Sequence, residues 1–410
     1  MRSNGIDNNR IKHNIAKELE KMRLNLSGLK KCFGFEKTSL ERTGRVLVID
    51  GHDVVGYRVV DQLAIIEYPM IRVGVRNTDD FVVKRWKENE YIIEKVTFDF
   101  TDESTWTIAL EDVKTVFVTT PMKPSNWDLH FPKFLDACHR AKVKKIIMIS
   151  FYHSIQSRIE NPRQCFGSQD YTEEPGYGIA SVPFVKKHAL CDGDLILRKN
   201  EFNATIIFAS HLMSNVFRYE SQREGLMKEH EFYGASRGKF VNYVSPNDVA
   251  DIVIKAIFDK NHNRQGYSVL GPFPIMDGDV AVLLSERLHT AITYVEKPLD
   301  FFDKNTAALE KIKASGMEEN FPRGDFKRVM NRSPQSFREY LRDEYRMAPI
   351  ERKVVNAFHP MKVNELKVTN DEVKEEFEQV DDEVAFQAKL EVVDESMDKT
   401  LIAGTAPVAQ

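Results

Sequence analysis

Asp50, Gly51, His52, Asp53 and Gly56 follow directly on an apolar run, Val46, Leu47, Val48 and Ile49. That order can bind phosphate. A continuous apolar run is the mark of a strand buried on both faces. Val55, Val59 and Leu63 then recur at helical spacing and predict a helix beginning near Val54. A strand, a glycine-bearing turn and a helix together point backbone N–H groups and the positive end of a helix dipole at a pyrophosphate. Gly51, His52, Asp53, Val54 and Val55 are thus the candidate phosphate-facing residues. Gly51 is expected to supply the turn, and Gly56 the close packing of helix on strand.

Two aspartates disturb this pattern. Asp53 stands where phosphate oxygens would meet helix N–H groups. A carboxylate about 4 Å from a phosphate charge costs on the order of 4 kcal/mol at an effective dielectric of 20. Asp is also among the best N-cap residues, so Asp53 can engage those N–H groups as a built-in substitute for phosphate. Either weakened or retained dinucleotide binding is compatible with the loop. Arg76 argues for retention, because a cation ending the second strand can meet the 2′-phosphate of NADP.

The elements that would position these residues alternate. Strands are expected at 71–76, 92–100, 115–121, 145–150, 203–209 and 267–272. A helix is expected over 128–142, with Phe131, Phe134, Leu135 and Cys138 on one face. Alternating strands and helices predict an α/β fold, a doubly wound parallel sheet covered by helices on both sides. The stretch 154–183, rich in Pro and Gly, reads as a lid or binding loop after the fifth strand. Ile11, Ile15, Leu19, Met22 and Leu26 predict an added amino-terminal helix within residues 1–43. Residues 346–410 form an acidic tail, partly disordered, with Val373, Phe377, Val380 and Val384 on one helical face.

The 410 residues carry a net charge of −4, which gives no electrostatic reason for nucleic-acid binding. Cys32, Cys138, Cys165 and Cys191 are widely spaced, which argues against a disulfide framework or a zinc site and fits a reducing, cytoplasmic setting. No apolar run reaches the roughly 18 residues needed to span a bilayer. No metal site is expected.

Several ordered segments resemble the NmrA-like branch of the atypical short-chain dehydrogenase superfamily. Arg72 to Asn77 is similar to its second strand ending in Arg, and Thr97 to Asp102 to the segment after its third. Leu110 to Pro121 resembles its fourth strand, and Ala137 to Ser150 its next helix and fifth strand. Thr205 to Asn215 and Val244 to Ala250 resemble its later "Thr-Ile-Leu-Arg-Pro-Gly-x-Phe-Met-x-Asn" and "Asp-Val-Ala" segments. The resemblance covers roughly residues 44–345.

That resemblance implies a Rossmann-like core at about 44–215, a smaller carboxyl-terminal substrate lobe at about 216–345, and NADP or NAD in the cleft at the first strand. Its loop is usually Gly-x-x-Gly-x-x-Gly; here Asp50 and Asp53 stand at the first two glycine positions. Asp99 and Phe100 would line the adenine pocket, and Thr119, Thr120 and Pro121 would lie beside the nicotinamide. Ser150 would take a catalytic or substrate-binding position. Lys187, with Lys186 and His188, lies near the region where some family reductases carry an essential Lys; a solvated basic helix start is the alternative. His211 would line the cleft. The superfamily's Tyr-x-x-x-Lys pair lowers a tyrosine pKa for proton transfer, but here only Tyr91 and Lys95 have that spacing, upstream of the fourth strand. The expected function is NADP recognition with a regulatory or redox-sensing output. The alternatives are an NADPH-dependent reductase of a small carbonyl or quinone substrate and a cofactor-free scaffold acting through its terminal helices.

Overall fold

A computed structural model describes residues 44–66, 68–78, 93–119, 127–155, 183–218, 220–316 and 324–344. The amino-terminal helix, most of the 154–183 loop and the acidic tail lie outside the described residues, as do Tyr91, Thr120 and Pro121.

The main sheet is built from β1 (Arg45–Ile49), β2 (Ile71–Val75), β3 (Ile93–Thr97), β4 (Val113–Val118), β5 (Lys145–Phe151) and β6 (Asn203–Ala209), completed by β11 (Gln265–Val269). Its order is β11-β6-β5-β4-β1-β2-β3. Every pairing in it is parallel. The apolar runs explain this layering. Alternate residues point to opposite faces: Val46 and Val48 join one core, and Leu47 and Ile49 the other.

Helix α1 (Val54–Ile65) covers the first face, with Val55, Val59 and Leu63 buried as their spacing requires. Helices α2 (Trp106–Leu110), α3 (Trp127–Arg140) and α4 (Pro183–Leu197) follow. The apolar faces of α3 and α4 share the second core. Helix α5 (Pro246–Phe258) packs beside α1.

The stretch expected to form a separate lobe is interleaved with the core. Helix α5 and strand β11 come from it and complete the Rossmann layers, because both carry apolar residues that only the sheet can bury. What remains contains β8 (Glu231–Gly234) paired with β13 (Thr293–Glu296), β9 (Phe240–Val241) paired with β12 (Ile275–Met276), and β10 (Tyr243–Val244) paired with β7 (His211–Leu212). Helices α6 (Asp277–Leu288), α7 (Lys304–Ala314), α8 (Phe326–Met330) and α9 (Phe337–Glu344) complete it.

Two ionic devices hold these parts together. The buried guanidinium of Arg58 donates to the Val54 carbonyl at 2.9 Å, to Asn247 Oδ1 at 2.5 Å and to Glu344 at 2.6 Å. It joins the first turns of α1 and α5 to the last turn of α9. In the second, Lys313 Nζ lies 2.7 Å from Glu310 and 3.5 Å from Asp277. Asp277 also accepts from the Tyr243 hydroxyl at 2.5 Å, and Glu310 from the Ala235 N–H at 2.8 Å. All four side chains of that second cluster are buried.

Candidate functional site

At the end of β1 the turn is made by Asp50, not Gly51. Asp50 has φ +51°, whereas Gly51 is not in the left-handed region. Asp is one of the few L-residues that tolerates this conformation, because its short polar side chain bonds locally. The Asp50 carbonyl accepts from the Asp53 N–H at 2.8 Å. Gly56 has its expected role: a Cβ there would lie 2.5 Å from the Asp50 carbonyl oxygen. Burial pushes the Asp50 carboxyl above its ordinary pKa; His52 opposes the shift and Asp53 adds to it.

Asp53 is the N-cap of α1, with extended backbone, and its carboxylate accepts from the Val55 N–H at 3.3 Å. The side chains of Val54 and Val55 are buried in the core. His52 Nδ1 is buried without a hydrogen bond among the described residues.

Arg76 follows β2 and is half exposed, with its Nε 3.3 Å from Asp99. Asp99 holds its own turn by accepting from the Thr101 N–H and hydroxyl, each at 2.8 Å. The Phe100 side chain differs from expectation. Its ring is 3% exposed and enclosed by Phe98, Phe134, Trp127 and Phe131, so it is core and only its backbone remains for an adenine pocket. Thr119 is buried, and its hydroxyl donates to the Ile49 carbonyl at 3.4 Å, linking the ends of β4 and β1.

Gly56 thus lets the helix pack close on the turn and Arg76 puts a cation after β2, which suit a dinucleotide, while Asp53 already engages a helix N–H and opposes one.

The second constellation lies at the end of β5. Ser150 donates to Asp192 Oδ2 at 2.8 Å, and Ser154 donates to the same oxygen at 2.6 Å. The two hydroxyls are 3.0 Å apart, and His188 Nδ1 is 3.5 Å from Ser150. His188 and Asp192 are one helical turn apart on α4 and so share a face. Both are buried, as are the two serines. Burial raises the Asp192 pKa to about 7, with the serine hydroxyls opposing, and lowers that of His188 to about 3. Asp192 Oδ1 has no hydrogen bond among the described residues.

Lys187 is not part of this group. One residue off the His188 face, it turns to α3 and pairs with Asp128 at 2.8 Å. The Tyr91 and Lys95 spacing contributes nothing described here: Lys95 lies in β3 and donates to the Thr78 carbonyl at 2.8 Å. His211 is buried, its ring 5.4 Å from Phe151 and 6.2 Å from Tyr243. Ser154 and Asp192 were not singled out by the sequence. The available signal was an Asp inside the buried stripe of Val185, His188, Cys191 and Leu195, where a carboxylate requires a partner.

Comparisons with known proteins show the family and the fold. A family model described as NAD(P)H-binding matches residues 51–260. Among curated proteins, Prestalk A differentiation protein A of Dictyostelium discoideum is 26% identical over 267 residues, covering 62% of this chain and 74% of that protein. Three solved structures share the fold. Citrobacter triphenylmethane reductase complexed with NADP(H) has a TM-score of 0.56 at 14% identity, over 73% of this chain and 99% of that one. The Escherichia coli NADPH-dependent quinone oxidoreductase complexed with NADPH scores 0.56 at 15% identity, over 73% and 99%. NmrA, a negative transcriptional regulator in complex with NAD, scores 0.54 at 13% identity, over 75% and 96%. No helix among the described residues is long and apolar enough to cross a membrane.

Proposed function

The chain belongs to the NAD(P)H-binding family, and from that premise we propose that it recognises NADP(H) with a regulatory or redox-sensing output. The Asp53 carboxylate at the N-terminus of α1 carries this reading. A dinucleotide must displace that carboxylate from the helix N–H groups or bind beside it, at a cost on the order of 4 kcal/mol for an inward-pointing charge. Micromolar binding amounts to only about 8 kcal/mol in total. A site so handicapped fills and empties with ligand concentration instead of staying saturated, which is what a sensor requires. Arg76 supplies the preference for NADP through the 2′-phosphate. The absence of a placed Tyr-x-x-x-Lys pair supports sensing over reduction, and a transcriptional regulator stands among the proteins of the same fold.

Titration of the full chain with NADPH and NADH tests this. NADPH is expected to bind more tightly, Arg76→Ala to remove the preference, and Asp53→Gly to tighten both ligands at least tenfold. Absence of saturable binding by either nucleotide ends the reading.

One observation favours a second reading. The Ser150 and Asp192 pair can deliver a proton at the end of β5, as an NADPH-dependent reductase of a carbonyl substrate would require. Nicotinamide, when bound, supplies hydride. The chain's part would be the proton, passed from Ser150 Oγ to the developing alkoxide and replaced from Asp192 in its protonated form, in which Oδ2–H would donate to Ser150 Oγ instead of accepting from it. A carboxyl with a pKa of about 7 suits that task near neutral pH. NADPH oxidation by an aromatic aldehyde, lost in Asp192→Asn with NADPH affinity unchanged, supports this reading. No turnover in the unsubstituted chain removes it.

A further inference from the structure

A cavity of about 440 Å³ opens between α6, α9 and the segment that joins β11 to β12. Met213 and Tyr243 line it together with Phe273, Val282, Leu283 and Phe337. Phe273 and Val282 are 59% and 57% exposed, so two large apolar side chains stand half bare at the site.

Polar groups are present at the cavity, but each is engaged within the chain. Asp279 accepts from the Met276 N–H at 3.0 Å. Ser336 donates to Glu339 at 2.8 Å. Arg338 pairs with both carboxylate oxygens of Glu286, at 2.5 and 3.2 Å. The Tyr243 hydroxyl donates to Asp277 at 2.5 Å. An occupant therefore meets carbon and finds no unmatched charge. A ligand with its own charge or many polar groups would lose hydration there without compensation.

Size narrows the class further. Cavities of about 150 Å³ lined by apolar residues take up benzene. One about three times larger is in the range of drug-sized ligands, and fits two or three fused or linked rings or a branched aliphatic skeleton. None of the residues that line the cavity belongs to the turn after β1 or to the Ser150 and Asp192 cluster. Tyr243 packs on Phe337 at 5.4 Å on one side and on His211 at 6.2 Å on the other, and His211 packs on Phe151. Tyr243, His211 and Phe151 thus form a run of ring contacts from the cavity lining to the end of β5.

We propose that this cavity binds a neutral aromatic or branched-aliphatic small molecule, at a site distinct from the dinucleotide cleft. The proposal is independent of whether the protein senses or reduces. The test is a fluorescence titration of the full chain with N-phenyl-1-naphthylamine, a neutral apolar probe. Saturable binding to one site is expected, unchanged by excess NADPH. Val282→Arg and Phe273→Asp each alter a largely exposed side chain, and each should weaken binding at least tenfold while circular dichroism and the melting temperature stay the same. Absence of saturable binding overturns the proposal, as does binding that both variants retain or that NADPH displaces. Self-association abolished by Val282→Arg would assign the surface to a second copy of the chain and overturn it equally.

Discussion

Two buried carboxylate clusters in this protein are compensated in different ways. Asp277 and Glu310 surround the Lys313 ammonium, whereas Asp192 faces two serine hydroxyls and a histidine that burial keeps neutral. Burial works against the Lys313 charge, but Asp277 and Glu310 outweigh it and hold the lysine pKa well above its ordinary value. The first cluster therefore keeps its ammonium charged, while burial and Asp277 still raise the Glu310 carboxyl against the pull of Lys313. The second contains a carboxyl that takes up and releases a proton near neutrality. The difference is one buried cation. A cation beside a buried acid counters the cost of its charge, whereas Asp192 has only hydroxyls to do so.

Removing that cation is the most severe way to break the contrast. Lys313→Met is expected to destabilise the protein by about 3–5 kcal/mol, read by urea denaturation, because two buried carboxylates lose their counter-charge. Equal stability of variant and parent would mean that those acids already bind protons.

Asp192→Asn sharpens the other side. The folded pKa of about 7 lies above the unfolded value of about 3.9, so the unfolded state loses its proton first as pH rises. The protonated acid's contribution is fully present below about pH 4 and is lost as pH climbs through 7. Asn does not titrate. The variant should match the parent near pH 4 and exceed it above pH 8, by up to about 4 kcal/mol, with a flatter profile between. Parallel profiles would contradict the assignment.

The smallest effect is expected at β1, where Asp50 combines a burial-raised carboxyl with a left-handed backbone. Asp50→Gly removes both and should add about 1 kcal/mol of stability. A loss instead would show that the carboxyl has a local partner that outweighs the backbone strain.

Much of the frame was legible because parallel strands buried on both faces are written as unbroken apolar runs. Residues 203–209 form β6 as expected, and the run at 145–150 extends only to Phe151. Helix α1 follows from Val55, Val59 and Leu63, and Asp53 caps it. Strands of two to four residues, such as β7, β9 and β12, are too short for periodicity to register. The turn at β1 was misplaced by one residue because glycine is the usual left-handed residue and Asp50 adopts that conformation instead. At β5, Ser150 was visible at a strand end, but its partner Asp192 lies 42 residues away and meets it only through packing of α4 on the sheet. The expected Lys187 failed to join because one residue along a helix is a turn of about 100°.

Arg58 gives the first turn of α1 a fixed address. Its guanidinium grips the Val54 carbonyl at one end and the Glu344 carboxylate at the other, and Glu344 closes the last described helix before residues 345–410 begin. The first turn of α1 and the last turn of α9 are thus held by one side chain, and displacing either end gives up a buried hydrogen bond.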